Sequence, residues 1–319
     1  MKKFLILALC YINFFTQANH SIIPEPFSYE AVEGVLISQG FKFKDNSKLK
    51  KVEFAKTIFN EYLESINISS EGKTTIELNY TNSIKNKEEY TLEVNSKGIS
   101  IGASNFGGFH DALQTLKQML PVSITNRSIE IPFCKIIDQP RFEWRGLMLD
   151  VSRHFFTVEE VKDYIDKMSE FKFNKFHWHL TDDEGWRVEI KSLPKLTEIG
   201  AWRGERNGRF GEDRPSPTPN EPKTYGGFYT QEEIKDVIDY AEKRNITIIP
   251  EIDIPGHSMA LLAAYPELST KKEITQVSVG HKFAEWFDDG SFKIYTENML
   301  NPANEKVYQT LDKIYSEIA

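Results

Sequence analysis

Residues 146–186 read GLMLDVSRHFFTVEEVKDYIDKMSEFKFNKFHWHLTDDEGW, and the order of patterns in them decides the fold class. Gly146 to Asp150 is a short apolar run that fits a buried strand. Thr157-Val158-Glu159-Glu160 is a capping box, in which a Thr hydroxyl and a Glu carboxylate satisfy the first free amides of a helix. Val158, Val161, Ile165 and Met168 then recur at helical spacing, and Lys175 to Leu180 returns to a strand. The rhythm repeats downstream. Thr230-Gln231-Glu232-Glu233 is a second capping box, Ile234, Val237, Ile238 and Ala241 line a helix face, and Ile246 to Ile252 is a third strand. Asn301-Pro302 opens a last helix with Val307, Leu311, Ile314 and Ile318 inward. Strands alternating with helices predict a parallel sheet, either doubly wound or a (β/α)8 barrel. No Gly-rich phosphate turn follows the first strand, which disfavours a nucleotide fold. Each strand ends in acids instead: Asp150, then Asp182-Asp183-Glu184, then Glu251 and Asp253. Carboxylates at the C-terminal ends of successive strands are the pattern of a barrel active site.

Outward from this stretch the chain changes character. Asp138-Gln139-Pro140 marks a boundary, with a small α+β unit over 19–138 and the βα units over 139–319. In the first unit, Tyr90 to Val94 and Ile99 to Ala103 flank Asn95-Ser96-Lys97-Gly98 as a hairpin, and Phe106 to Leu120 is a helix stopped by Pro121. Residues 1–18 read as a signal peptide: Lys2 and Lys3, an apolar run from Phe4 to Phe15, and Thr16-Gln17-Ala18 before the cleavage point. That run is too short to span a bilayer, and no other segment is apolar enough to be a membrane span. Removing it leaves Cys134 as the one cysteine, so no internal disulfide forms. These features together predict a bacterial protein that is exported, either periplasmic or extracellular. A net charge of -8 without a long basic run argues against nucleic acid as a partner. Two connections, Gly204 to Phe228 and Pro266 to Leu300, are long enough to be lids or binding loops, and the second carries Trp286, Phe287 and Tyr295.

Three stretches carry candidate chemistry. Arg153 lies just past the first strand, where its planar guanidinium suits sugar hydroxyls or a plain ion pair with Asp150. His177 and His179 share one face of the second strand. They are ligands for a metal with Asp182, or they pack inside with hydrogen bonds to backbone. No third ligand stands at suitable spacing, so packing is favoured and no metal or cofactor is expected. Asp182 and Asp183 are adjacent carboxylates that shift each other's pKa. His257, in Pro250-Glu251-Ile252-Asp253-Ile254-Pro255-Gly256-His257, is either a solvated turn residue or a histidine that bonds an acid on each side.

Taken together, Arg145 to Phe155, Lys175 to Arg187 and Tyr225 to Leu268 resemble glycoside hydrolase family 20, the β-N-acetylhexosaminidases. The first unit resembles that family's small N-terminal domain. The resemblance implies that Arg153 binds hydroxyls of the terminal sugar. It also implies that Asp182 and His257 form a pair behind a catalytic glutamic acid and tune its pKa. It further implies a retaining mechanism in which the substrate's own 2-acetamido oxygen is the nucleophile. The partners it implies are oligosaccharides ending in N-acetylglucosamine or N-acetylgalactosamine. One departure stands out. The family's His-x-Gly-Gly-Asp-Glu motif does not occur in the 319 residues, whose one Asp-Glu dipeptide is Asp183-Glu184. From Arg141 on there are also too few residues for the roughly 250 of a full barrel. The expectation is an N-terminal fragment: an incomplete (β/α)8 TIM barrel, its first three strands only, preceded by the α+β domain, and inactive by itself. The alternative is a non-catalytic carbohydrate-binding remnant of the same family.

Overall fold

The computed structural model describes residues 22–121, 128–207, 214–215, 217–218, 220–271, 276–280, 284–294 and 298–319. The signal-peptide reading and Tyr295 lie outside the described residues. The chain forms two compact units, Met1–Pro140 and Arg141–Ala319.

The first unit is a six-stranded sheet with two helices. Its elements are β1 (Ser28–Ser38), β2 (Gly40–Asn46), α1 (Val52–Ser65), β3 (Ser69–Tyr80), β4 (Tyr90–Asn95), β5 (Gly98–Ala103), α2 (Phe106–Met119) and β6 (Ile129–Asp138). The strand order is β1-β6-β4-β5-β3-β2, with β2–β3 and β3–β5 parallel and the other pairs antiparallel. The β4–β5 hairpin and α2 are the elements that periodicity had indicated. Gly98, at φ +134°, closes the hairpin because an L side chain is strained there. Phe59 and Leu63 of α1, Ile76 and Leu78 of β3, Leu92 of β4, Ile101 of β5 and Phe109 and Leu113 of α2 are buried in one core.

The second unit contains β7 (Gly146–Asp150), α3 (Val158–Glu170), β8 (Lys175–Asp182), α4 (Gln231–Glu242), β9 (Thr247–Ile252), α5 (Met259–Ala264), β10 (Ala284–Trp286), β11 (Phe292–Ile294) and α6 (Glu305–Ile318). Strands β9, β8 and β7 lie side by side in that order and all run parallel. This is part of a (β/α)8 barrel: three strands with their helices, in an open sheet. Both capping boxes form as read. Thr157 Oγ1 accepts from the Glu160 amide at 3.3 Å, and Thr230 Oγ1 accepts from the Glu233 amide at 3.1 Å. The last helix begins later than Asn301-Pro302 suggested. Asn301 Oδ1 is held by the Ala303 amide, and it is Asn304 that caps the helix by accepting from Lys306 N at 3.1 Å.

Register is what builds the site. Asp150 of β7 stands opposite His179 of β8, which stands opposite Glu251 of β9. Three polar residues from three separate sequence stretches therefore form one row across the sheet. On the other face of β8, Phe176, Trp178 and Leu180 are buried, with the Trp178 ring 4.8 Å from that of Tyr229.

Candidate active site

The site sits at the C-terminal ends of β7, β8 and β9, and a buried arginine organises the loops there. The guanidinium of Arg187 donates to the carbonyls of Val151 (3.1 Å), Ser152 (2.7 Å), Ala201 (2.7 Å) and Gly227 (3.0 Å). Full burial holds its pKa down at about 10, below the usual arginine range. Gly185 is required beside it, since a Cβ there would lie 2.2 Å from the guanidinium carbon. Nothing in the sequence distinguished this arginine from a surface charge. Its partners are backbone carbonyls, which leave no side-chain pattern.

Asp182 is the hub of the site and is only 1% exposed. Its Oδ1 accepts from the Asp183 amide at 2.6 Å and from His257 Nδ1 at 2.9 Å. Its Oδ2 accepts from His179 Nε2 at 3.0 Å and lies 2.5 Å from Arg153 Nη2. Burial alone would raise the Asp182 pKa, but the His179 hydrogen bond, the Asp183 amide and the Arg153 charge outweigh it and hold the group ionised. Arg153 also donates from Nη1 to Asp150 Oδ2 at 2.7 Å, so the plain ion pair does form. Its Nε faces Glu184 Oε2 at 3.7 Å, placing three carboxylates around one guanidinium.

The two strand histidines do not bond to backbone, contrary to the packing expectation. His177 Nε2 and His179 Nδ1 both donate to Glu251 Oε2, at 2.6 and 2.5 Å. The reason is the register: Glu251 stands opposite His179, so its carboxylate captures both rings. Burial pulls the His179 pKa down, but the Asp182 and Glu251 carboxylates lift it to about 9, so the ring is a cation at neutral pH. The metal alternative fares no better. Among the described residues two groups, His179–Asp182–Asp253 and Asp182–Asp183–His257, bring three ligand atoms close together, and His177 belongs to neither.

His257 is placed by Asp182. It sits at φ +50°, its Nδ1 donates to Asp182, and its side chain is half exposed. Burial lowers its pKa, but the Asp182 carboxylate more than offsets this and the net shift is upward. Glu184 is a group whose burial the sequence did not disclose. It is 7% exposed, and its pKa is raised to about 7, first by burial and then by the neighbouring Asp182. Described residues of the two long connections meet beside these acids: Ser278 N donates to the Asp183 carbonyl at 2.9 Å, and Arg214 Nη1 donates to the Val279 carbonyl at 3.2 Å.

A parallel βα sheet with a clamped arginine, a buried aspartate and a histidine above its strand ends defines a barrel-type active site. Comparison with known proteins narrows the class. Residues 142–319 match glycosyl hydrolase family 20, catalytic domain, and residues 19–139 match glycosyl hydrolase family 20, domain 2. The chain is 45% identical over 240 residues to a beta-hexosaminidase of Vibrio furnissii, an alignment covering 75% of this chain and 36% of that protein. It is 29% identical over 320 residues to the N,N'-diacetylchitobiase of Vibrio harveyi, covering 94% of this chain and 35% of that one. Among solved structures, it is similar to the GH20 exo β-N-acetylglucosaminidase from Vibrio harveyi in complex with N-acetylglucosamine. The TM-score is 0.76 at 39% identity, with 94% of this chain and 44% of that chain covered. The chain belongs to glycosyl hydrolase family 20. It spans about a third of the length of the Vibrio relatives it matches.

Proposed function

We propose that this chain is the sugar-binding part of a β-N-acetylhexosaminidase, which removes a terminal N-acetyl-hexosamine from a β-linked oligosaccharide. The observation that carries the reading is the Asp182 carboxylate, bonded at once to His257 and to Arg153. On one side, Asp182 fixes the His257 ring in the tautomer with Nδ1 protonated, so Nε2 can bond and tune a carboxylic acid facing it. On the other, Asp182, Asp150 and Glu184 hold the guanidinium of Arg153 in one plane, ready for the hydroxyls of a terminal sugar. The nucleophile in this reading is the substrate's acetamido oxygen, so the protein supplies no covalent partner. The proton donor belongs to the His-x-Gly-Gly-Asp-Glu motif, which these 319 residues lack. The protein is exported, and its substrates are N-acetylglucosamine- or N-acetylgalactosamine-terminated oligosaccharides.

The test is calorimetric titration of the 319-residue chain with N-acetylglucosamine, alongside a chromogenic N-acetylglucosaminide assay. The expected outcome is measurable binding, loss of at least tenfold in affinity for Arg153→Ala, about 1.4 kcal/mol or more, and no turnover. Turnover by purified chain would overturn the assignment of roles, and sugar binding indifferent to Arg153→Ala would overturn the site.

A further inference from the structure

Both ring nitrogens of His179 face carboxylate oxygens, and that decides its charge. Nδ1 lies 2.5 Å from Glu251 Oε2, and Nε2 lies 3.0 Å from Asp182 Oδ2. Burial would raise the Glu251 pKa, but the bonds from His179 and His177 outweigh it, so Glu251 is ionised, as Asp182 is. An ionised carboxylate only accepts hydrogen bonds, and a neutral imidazole carries a proton on one nitrogen alone. Two acceptors on opposite sides of one ring therefore require the imidazolium. Its side chain is only 5% exposed, so bulk water does not replace either partner. One continuous chain of hydrogen bonds results, from Glu251 to His179 to Asp182 to His257, with the last link at 2.9 Å. Among the described residues, His177 joins this chain at its far end, on Glu251 Oε2 at 2.6 Å.

The charges around the chain give that cation a task. Asp150 from β7, Asp182 from β8, and Glu251 and Asp253 from β9 face the His179 ring, and Arg153 Nη1 lies 3.3 Å from its Nε2. His257 is faced by Asp182, by Asp183 at 3.8 Å and by Asp253. Three acids around one imidazole pull a proton onto it. His179 and Arg153 oppose that pull, because both sit on Asp182 Oδ2 and draw on the charge that Oδ1 presents to His257. An imidazole held permanently as a cation could orient a neighbouring acid, but it could no longer follow that acid through a change of protonation.

We propose that His179 and Glu251 are positioning residues for the Asp182–His257 pair: the imidazolium occupies one oxygen of Asp182 and part of its charge, so the other oxygen orients His257 without keeping it permanently protonated. This rests on the hexosaminidase reading, in which His257 backs an acid, and adds how that histidine stays free to gain and lose a proton. The test is a pH titration of the 319-residue chain followed by nitrogen-15 NMR of its histidine rings. In the wild type, both His179 nitrogens carry protons at neutral pH and the ring titrates at about 9. His179→Gln raises the His257 midpoint by about one pH unit, a tenfold gain in proton affinity. Glu251→Gln lowers the His179 midpoint by about one unit or more. His177→Gln removes a bond to the same Glu251 oxygen and leaves the His257 midpoint in place, whereas a merely structural role would treat the two histidines alike. A singly protonated His179 ring in the wild type at neutral pH overturns the inference without any variant, and so does a His179 midpoint indifferent to Glu251→Gln. A His257 midpoint that stays or falls in His179→Gln overturns it as well. Failure of the underlying site reading looks different: N-acetylglucosamine binding would ignore Arg153→Ala while His257 still responded to His179→Gln.

Discussion

The two units place strands of similar composition in different surroundings. In the first, β4 and β5 each have neighbours on both sides and helices packed over them, and Tyr90, Leu92, Val94, Ile99 and Ile101 are all at most 2% exposed. In the second, only the central strand β8 is treated this way. Flanking β7 leaves Leu147 37% and Met148 50% exposed, and β9 is intermediate to exposed along its length. Parallel strands are normally buried on both faces. The second unit keeps an apolar core between β8 and its helices and adds to it the Arg187 staple and the charged hub at Asp182. Both units have a buried apolar core, and the second adds polar bonds at one end of its sheet.

The largest effect that would break this contrast comes from the cores. Phe109→Ala removes a fully buried ring of α2 and should cost the first unit about 3–5 kcal/mol. Met148→Ala, half exposed on β7, should cost the second unit under about 1 kcal/mol. Residue-resolved hydrogen exchange measures both, and comparable losses at the two sites would show that the β7 flank is packed as tightly as the first unit's core.

A smaller effect separates them by pH. A group whose folded pKa is raised gives stability that is complete below its unfolded value and lost as pH rises through the folded one. Glu184 loses its contribution between its ordinary range and about 7, and His179 between 6.5 and about 9. Both signs agree, so the second unit should weaken by roughly 2–4 kcal/mol from pH 5 to pH 8. In the first unit the raised groups are Tyr29, Tyr90 and Cys134, the last pushed up to about 11, and these act only in alkali. Its stability should stay flat over the same window. Hydrogen exchange at several pH values checks this, and parallel curves would remove the polar hub as the source of order.

The same contrast explains what the sequence could and could not disclose. Periodicity and capping boxes located β7, α3, β8, α4 and the β4–β5 hairpin, because helix and strand periods and cap bonds are local. Most of the first unit's sheet stayed hidden. β1 and β3 carry mixed polar and apolar residues, and their partners β6 and β5 lie far along the chain. In the site, Asp182, His257 and Arg153 were named from motif residues and do lie together, whereas the capture of His177 and His179 by Glu251 depends on register across 72 or more residues. Arg187 and Glu184 were unreadable for a related reason: burial, which gives them their character, is a tertiary property.

The smallest effect tests whether local and tertiary order are separable in the second unit. Two of its three long helices among the described residues, α3 and α4, open with full capping boxes, each with two reciprocal bonds. Thr157 Oγ1 accepts from the Glu160 amide, and Glu160 Oε2 accepts from the Thr157 amide at 2.7 Å. Thr230 and Glu233 repeat the arrangement at 3.1 and 2.8 Å. In the first unit, α2 has a single cap bond, from the Gly108 amide to Asn105 Oδ1 at 3.0 Å, and α1 begins at Lys51 with no side-chain cap bond. A helix fixed mainly by its core needs its cap less than one packed on a partly open sheet. Thr157→Ala and Thr230→Ala should each cost about 1 kcal/mol, with Ser restoring most of it. If caps and core act independently, Asn105→Ala should cost the same. If the second unit depends on local order as argued, its two Ala variants should also raise exchange in β7 and β9, while Asn105→Ala leaves β4 and β5 protected. Exchange that changes only in the first turn of each mutated helix would show that the open sheet holds its strands without help from the helix ends.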